Sequence, residues 1–429
     1  MLENPPVAAA SSGAPTSPGP TSVTPALLIG VVLAQFGAFI AVFAPSFIAL
    51  SISVGTLTPE DRVVNLGIVL APGAFIALVA QPLFGRLSDR TTWSFGKRRS
   101  WILIGTLGGL VGLTILAFAN SIPLLTIGWA VAQFFINAVS CACHAVIPDQ
   151  IPTRLRGRVS AWFGIVLTGA QVAAVYTVIW VAAIPPLMYL VPAAFLVFTS
   201  GWLLIALRGV DTPADRRTLP PFTFGSFLGS FYVNPVKNRD YAIFWFGRLF
   251  VYLGYFSLIT YQLYYVMTQL SLDQDAASAV VGNATFLTSA AAVVASLIAG
   301  WISDRTGRRK VVAVVAGVIM AAGLIMLAFG NTEGWFLLAV GVIGFGQGVY
   351  LAIDVAIVSE LISSDNDRGK DMGVLNIANT LPQSIVPIVA PFLLAIGSAG
   401  GENYPLLFIV GGVVALLGGV MVQGLRKVS

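Results

Sequence analysis

Twelve long apolar runs, separated by short polar or Pro- and Gly-containing breaks, occupy most of this 429-residue sequence. A helix needs about 20 apolar residues to cross a bilayer. Backbone groups in lipid must be hydrogen-bonded within their own segment, so each run is predicted to be a transmembrane helix. The predicted spans are 25–52, 63–84, 100–119, 122–147, 159–181, 185–208, 240–268, 276–302, 309–329, 333–361, 371–396 and 403–424. The expected fold class is an all-α polytopic membrane protein.

Composition excludes several other classes of protein. The chain is 57% hydrophobic and 10% charged, whereas about 25% of residues are charged in an average soluble domain. Two cysteines rule out a disulfide scaffold. The net charge of +5 comes from short basic runs between apolar segments, not from one clustered basic face, so no nucleic-acid partner is expected. The expected environment is a lipid bilayer.

The distribution of Lys and Arg predicts the orientation. With both termini in the cytoplasm, 21 of the 23 Lys and Arg residues lie in cytoplasmic segments, leaving Arg62 outside and Arg248 within a span. The positive-inside rule therefore predicts a multi-pass protein of the plasma membrane with both termini cytoplasmic. Residues 1–24 are rich in Pro, Ala and Ser and lack a basic signal region, so they are predicted to form a disordered cytoplasmic tail.

Two loops repeat each other along the chain. Gly85 and Asp89 precede Gly300 and Asp304 by 215 positions, and after four extra residues at 92–95 the offset becomes 211. An offset that persists on both sides of an insertion indicates internal duplication.

The duplication divides the chain into two pseudo-symmetric six-helix bundles. The expected segments are a bundle at 25–208, a cytoplasmic linker at 209–239, a second bundle at 240–424 and a tail at 425–429. Aromatic residues at 222–232 fit either a short interfacial helix or a linker collapsed on the bundle surface.

The repeated loop places a carboxylate, Asp89 or Asp304, at the cytoplasmic rim. Such a group can accept hydrogen bonds from Arg or from helix N-terminal amides in one conformation and release them in another. This pattern suits a gate, and the alternative is a solvated basic loop that only sets topology. Gly85 and Gly300 are expected where neighbouring helices approach too closely for a side chain. The predicted gate residues are Gly85, Asp89, Arg90, Gly96, Arg98, Gly300, Asp304, Arg305, Gly307 and Arg308.

The loop pattern G-x-x-x-D-R-x-G-[RK]-R-[RK] resembles the cytoplasmic signature of the major facilitator superfamily, and the resemblance covers the chain after residue 25. It implies the major facilitator fold, and a role for Asp89 and Asp304 in holding an outward-open state. The longer first copy is similar to sucrose transporters and to the wider glycoside-pentoside-hexuronide symporters. So is the run from Cys143 to Asp149, in which His144 stands where plant sucrose carriers have Arg.

Ionisable residues inside spans are functional candidates because they are costly there. Arg248 and Asp354 lie at similar depths, about 10–12 Å from the cytoplasmic edge at 1.5 Å per residue, on helices that the resemblance places around a central cavity. They are predicted to act as a coupling pair or to serve as a static pair that fixes the bundle. His144, the only histidine, is either a titratable coupling group or a neutral polar residue. The coupling candidates are Arg248, Asp354, His144, Asp149 and Glu360.

Neutral polar and aromatic residues in the spans are candidates for contacting a polar solute; the alternative for each is a helix-joining hydrogen bond. These candidates are Gln35, Asn137, Gln171, Tyr255, Tyr261, Gln262, Gln347, Asn376, Asn379 and Gln383. No metal site is expected, because side chains 141 and 143 diverge on a helix and a fourth ligand beside His144 is missing. No cofactor is expected.

These features favour a secondary active transporter that works by alternating access and takes up a small polar solute, such as a sugar or glycoside, together with H⁺. It is expected to act as a monomer. The sequence has no G-x-x-x-x-G-K-[ST] and no H-E-x-x-H, so neither ATP-driven transport nor a metal-dependent enzyme is expected. A proton-driven exporter of small organic molecules is the alternative within this class, and a non-transporting receptor or scaffold is the alternative outside it.

Overall fold

The computed structural model describes residues 23–214, 238–361, 368–397 and 402–426. Side chains at 355, 359, 360 and 368–373 lie outside this description. So do most of the expected tail at 1–24, most of the linker with its possible helix at 222–232, and residues 427–429.

Twelve helices in the described segments are long and apolar enough to span a membrane, which confirms the predicted number. In chain order they are α1 (Pro25–Leu57), α2 (Arg62–Asp89), α3 (Lys97–Ala117), α4 (Ile122–Gln150), α5 (Thr153–Val181), α6 (Leu187–Ala206), α7 (Arg239–Gln269), α8 (Gln274–Thr306), α9 (Arg309–Phe329), α10 (Glu333–Leu361), α11 (Arg368–Thr380 and Pro382–Ala395) and α12 (Tyr404–Met421).

Several helices are longer than their apolar runs. Helix α1 continues to Leu57 instead of 52, α2 to Asp89 instead of 84, and α8 to Thr306 instead of 302, while α5 begins at Thr153 instead of 159. Hydropathy marks only the part of a helix that lies in the hydrocarbon, and charged ends with long Arg side chains extend into the interface. The first residues of both repeated loops are therefore helical.

The two halves, α1–α6 and α7–α12, pack in the same order. Helix α1 packs against α6, and α2 and α3 pack against α4; correspondingly, α7 packs against α12, and α8 and α9 pack against α10. Glycines allow the closest crossings: a Cβ at Gly112 would lie 2.3 Å from the Ala132 nitrogen, and one at Gly348 would lie 2.1 Å from the Ala292 oxygen. The equivalent packing supports the duplication inferred from the sequence.

We call the side that bears the α2–α3 and α8–α9 loops the basic side, and the opposite side the acidic side. The halves meet towards the acidic side, where the Tyr264 hydroxyl donates to the Ser51 carbonyl (2.7 Å) and the Pro387 carbonyl lies against Gly67. At the same side Arg62 of α2 forms an ion pair with Glu402, immediately before α12. The structure is thus closed on the acidic side.

Candidate functional site

A cavity lies between the halves, with walls from α1, α2, α4, α7 and α11. Its lining residues are Ser46, Phe47, Leu70, Ala74, Trp129, Gln133, Phe256, Ile259, Thr260 and Gln383. None of these ten residues is charged. Hydroxyl, amide and indole groups alternate with aromatic and aliphatic surface, a combination that suits a small polar molecule without a formal charge.

Local backbone features bring two of these groups into the wall. A π-helical turn at Pro45–Ala49 interrupts α1 and carries Ser46 and Phe47, and such turns often occur at functional sites. On α4, the Trp129 ring packs over Gly73 of α2, where a Cβ would lie 2.4 Å from the indole nitrogen. The Trp129 N–H is buried and has no hydrogen-bond partner among the described residues.

A series of hydrogen-bonded amides leads from the cavity towards the basic side. Gln133 and Asn137, four residues apart on α4, lie on one helix face, and Asn137 Nδ2 donates to Gln133 Oε1 (3.2 Å). Gln81 of α2 donates to Asn137 Oδ1 (3.1 Å), and Asn376 of α11 donates to Gln81 Oε1 (2.8 Å). The amides therefore connect the cavity wall to a contact between the two halves.

Arg248 and Asp354 form the ion pair expected from their depths. Arg248 Nη2 lies 3.0 Å from Asp354 Oδ2, and the two side chains are 11% and 4% exposed. Arg248 Nε donates to Asn379 Oδ1 (2.6 Å), which joins α7, α10 and α11. The second carboxylate oxygen of Asp354 is buried without a partner among the described residues. This carboxylate is poised to hold either a charge or a proton; its role in coupling remains a prediction.

The first loop motif forms an ordered ionic cluster at the basic side. The Arg98 guanidinium is 4% exposed; it pairs with Asp89 and Asp149 and donates to the Ser88 hydroxyl (2.8 Å). Lys97 also pairs with Asp149 (2.9 Å). The structure thus brings three predicted residues, Asp89, Arg98 and Asp149, into one cluster that joins α2, α3 and α4.

Asp211, just after α6, completes this cluster from the start of the linker. Its Oδ2 accepts hydrogen bonds from the Arg98 and Arg99 amides, both at 2.8 Å, at the N-terminus of α3. Gly96 has φ 109°, and a Cβ there would lie 2.4 Å from the Asp211 carboxylate, so glycine is required on both grounds. Burial raises the pKa of the Asp211 carboxyl, and the two amide hydrogen bonds oppose that shift.

The second loop motif is built differently. Asp304 is exposed and makes no ion pair among the described residues, while the Arg305 guanidinium stacks on Trp301 (4.5 Å). Gly307, at φ 65°, terminates α8 in the left-handed conformation, and Arg308 is exposed. The side chain of Glu360, the expected counterpart of Asp149, lies outside the described part of the chain.

One expectation about the motif glycines is wrong. Gly85 and Gly300 lie inside α2 and α8 and do not mark a close helix approach. A Cβ at Gly85 would meet only Cys141 Sγ, at an ordinary 3.5 Å, and one at Gly300 would meet nothing within 4 Å. The apolar run ends near these glycines, but the helices continue past them. Arg90, by contrast, follows α2 directly at its C-terminal end.

Most of the other predicted cavity residues lie in helix contacts. Four of them are buried between helices: Gln35, Tyr255, Tyr261 and Gln262. Two are half-buried, Gln171 and Gln347. Three belong to the networks described above, Asn137, Asn376 and Asn379, and one, Gln383, lines the cavity. Gln35 donates to the Ser140 hydroxyl (2.8 Å). The sequence does not show which way a polar side chain points from its helix or which residues surround it. It therefore could not distinguish a residue that lines the cavity from one that joins two helices.

His144 lies on α4 beyond the amide series. Its side chain is exposed, its ring meets Phe163 edge-on (5.1 Å), and Nδ1 lies 2.8 Å from the Ser140 carbonyl oxygen. Cys141 and Cys143 are free thiols. Within the described residues no group of three or more His, Cys, Asp or Glu side chains is arranged to hold a metal ion.

Sequence reasoning missed Ser46, Trp129, Gln133, Thr260 and the Arg62–Glu402 pair. A signal existed for two of them. Gln133 precedes the predicted Asn137 by one helical turn, and Arg62 is the single basic residue of the loops predicted to face outward. Ser46, Trp129 and Thr260 have no comparable signal, because only helix packing turns them towards the cavity.

Comparison with known proteins agrees with this architecture. The sequence model of the family described as Major Facilitator Superfamily matches residues 26–274 and 244–429. The chain belongs to the Major Facilitator Superfamily. It is therefore a membrane transporter of that superfamily and not an enzyme.

Relatives within the superfamily differ in the names of their solutes. The "Sugar transporter ERD6-like 6" of Arabidopsis thaliana is 23% identical over 418 residues, which cover 87% of this chain and 82% of that protein. The crystal structure of a nucleoside transporter has a TM-score of 0.74 at 14% identity, covering 94% of this chain and 100% of that one. The crystal structure of a D-xylose-proton symporter has a TM-score of 0.69 at 14% identity, covering 94% and 98%. At these identities the solved structures show a shared fold.

Proposed function

We propose that this transporter takes up a small, uncharged, hydroxyl-bearing solute of the sugar or glycoside class together with a proton. The main observation in support of the proposal is that the neutral hydrogen-bonding groups and the buried ionisable groups lie in different places. The cavity between the halves offers neutral hydrogen-bonding groups, whereas the buried ion pair lies within the second half.

The character of the cavity supports the solute class. Ser46, Gln133, Thr260 and Gln383 supply hydroxyl and amide groups, and Trp129 supplies an aromatic ring. A carboxylate or ammonium ion placed there would lose its hydration without meeting an opposite charge, which is strongly unfavourable. The names of the sugar transporter and the D-xylose-proton symporter support the same class for this chain.

Asp354 supports the proton part of the proposal. Its carboxylate is buried, has one cationic partner in Arg248 and leaves one oxygen without a partner among the described residues. Protonation would neutralise the carboxylate and release Arg248, so the local structure responds to a proton. The protein would act as a monomer in the plasma membrane, with its basic side and both termini in the cytoplasm.

Two measurements test the proposal. In a thermal-shift screen of the purified protein, neutral sugars and glycosides should stabilise it, and amino acids and organic acids should not. A best ligand that is anionic would overturn the solute class.

With that ligand, Asp354→Asn should abolish uphill accumulation in proteoliposomes with an imposed proton gradient, yet retain counterflow exchange. Because this variant removes a buried partner, the reversed pair Arg248→Asp with Asp354→Arg controls for folding: it should restore expression without restoring accumulation. Equal loss of both activities in well-folded Asp354→Asn would argue against proton coupling at this site.

A further inference from the structure

The amide series of the first half and the ion pair of the second half meet on the inner segment of α11, Arg368–Thr380. Asn376 donates to Gln81 of α2 (2.8 Å), and Asn379, three residues later, accepts from Arg248 (2.6 Å). Residues three apart lie on adjacent turns of one helix. One short helical segment therefore holds both the contact between the halves and the orientation of the arginine.

The inner segment is separated from the rest of α11 at Leu381. Pro382 follows immediately and has no N–H, so the helical hydrogen-bond ladder is interrupted there. The outer segment, Pro382–Ala395, packs against α2, with the Pro387 carbonyl directly over Gly67. Pro382 thus separates an inner segment that carries Asn376 and Asn379 from an outer segment packed against α2.

Asn379 determines how Arg248 faces Asp354. Its Oδ1 accepts from Nε and leaves Nη2 directed at the carboxylate, so two acceptors fix the plane of the guanidinium. Other titratable groups near Asp354 are the hydroxyls of Tyr252 and Tyr350. On the neighbouring α9, Arg309 donates to the Ala356 carbonyl (3.1 Å), two residues after Asp354. Arg248 is the cation that opposes the carboxylate, and its orientation depends on the position of α11.

From this arrangement we infer that Asn376 and Asn379 are positioning residues that link two events. When the halves separate at the contact between Gln81 and Asn376, Asn379 changes how Arg248 pairs with Asp354. When α2 moves away, the inner segment is released from Gln81, Asn379 shifts relative to α7, and Arg248 no longer neutralises Asp354. The carboxylate then binds a proton more readily. This inference rests on the proposed proton coupling and adds the residues that transmit it.

The test measures proton-driven accumulation and counterflow side by side in proteoliposomes, with the ligand that gives the largest thermal shift. Asn376→Leu removes the hydrogen bond between the halves, and Gln81→Leu removes the same bond together with the one to Asn137. Asn376→Leu should lower the ratio of accumulation to counterflow about fivefold, the change that one hydrogen bond makes in an equilibrium, and Gln81→Leu should lower it by at least as much. The double variant should be no worse than Gln81→Leu alone, since that variant already lacks the bond that Asn376→Leu breaks. Thr380→Val is the matched control, because within the described parts of the chain its hydroxyl bonds only to carbonyls of its own helix.

Asn379→Leu removes the acceptor for Arg248 Nε and should lower the same ratio, whereas Asn379→Gln keeps a neutral amide oxygen as a possible acceptor and should lower that ratio less. Multiplicative losses in the Gln81 and Asn376 double variant would overturn the coupling, as would parallel loss of both activities. So would normal accumulation in Asn376→Leu while Asp354→Asn abolishes it. Accumulation that survives Asp354→Asn would instead overturn the proposed proton site, and the coupling with it.

Discussion

Arg62 and Glu402, 340 positions apart in the chain, form an ion pair across the acidic side of the two halves. Arg62 also donates to the Thr268 hydroxyl (2.9 Å), and its guanidinium lies 5.1 Å from the centre of the Tyr264 ring. The paired side chains are 20% and 24% exposed, so solvent screens them less than a surface pair. The contact thus stabilises the state that is closed on the acidic side.

Replacement of Arg62 should open that side. Arg62→Ala removes hydrogen bonds to a charged group, typically about 1.5–3 kcal/mol, and should shift the equilibrium towards the open state by about tenfold or more. The measurement is labelling of Thr260→Cys in the cavity by an impermeant maleimide added to intact cells, in a background carrying Cys141→Ser and Cys143→Ala. Asp275→Asn, an exposed residue on the same side, is the control. Unchanged labelling in Arg62→Ala would show that the pair does not hold the closed state.

The two repeated motifs should differ in their sensitivity to substitution. Asp149→Asn leaves the buried Arg98 with Asp89 as its remaining anionic partner and should cost about 1.5–3 kcal/mol, whereas the Asp89 side chain is 63% exposed and Asp89→Asn should cost about 1 kcal/mol or less. Asp304→Asn should stay within about 0.5 kcal/mol. Thermal unfolding in detergent checks the order, and transport should follow it. Equal effects for the three variants would contradict the asymmetry of the motifs.

Asp211 should make the protein less stable as the pH rises through the mildly acidic range. Its pKa is raised by burial in the folded state, so the folded protein binds the proton more tightly than the unfolded chain does. The associated stability is fully present below the unfolded pKa of 3.8 and is lost as the pH rises through the folded pKa. Melting temperatures between pH 4 and 7 should show this slope flattened in Asp211→Asn. Asp211→Ala should in addition lose the helix cap, about 1 kcal/mol. A slope that is the same in Asp211→Asn would assign the pH dependence to other groups.

Gly73 should be essential for the shape of the cavity. Gly73→Ala places a methyl group within 2.4 Å of the Trp129 indole nitrogen and must displace the ring, at a typical cost of about 1–3 kcal/mol. Weaker binding of the solute, seen as a raised KM, is the expected result. Gly169→Ala is the matched control, since a Cβ there meets nothing within 4 Å. A KM that is unchanged in Gly73→Ala would place the solute elsewhere.

The orientation of the chain can be checked with single cysteines in the cysteine-free background. Ser94→Cys, in the α2–α3 loop, should react with an impermeant reagent only after the membrane is opened, because the basic side is expected in the cytoplasm. Gln274→Cys, at the start of α8, should react in intact cells. The reverse pattern would overturn the assigned topology.

Sequence alone was sufficient for the number of helices and the duplication. A continuous apolar run of about 20 residues matches the length of a helix that crosses the bilayer, so such runs translate directly into spans. The insertion at 92–95 made the repeat recognisable by its change of offset. The Arg248–Asp354 pair was also accessible, because buried charges are rare and depth follows from a fixed rise per residue. Helix ends such as Asp89 and Thr306 were missed because hydropathy stops at the edge of the hydrocarbon.

Tertiary structure alone decided which polar residues meet. Gln133 lines the cavity while Gln262 is buried in the packing, and the two differ only in helix rotation and tilt, which depend on neighbouring helices. The same holds for the contrast between Asp89 and Asp304, which share the sequence Ser-Asp-Arg-Thr: the first meets a buried arginine held by Asp149 and Asp211, and the second is exposed. Length and hydropathy are properties of each segment by itself, so the sequence determined them. Which side chains contact one another depends on how several helices pack, so only the tertiary structure determines it.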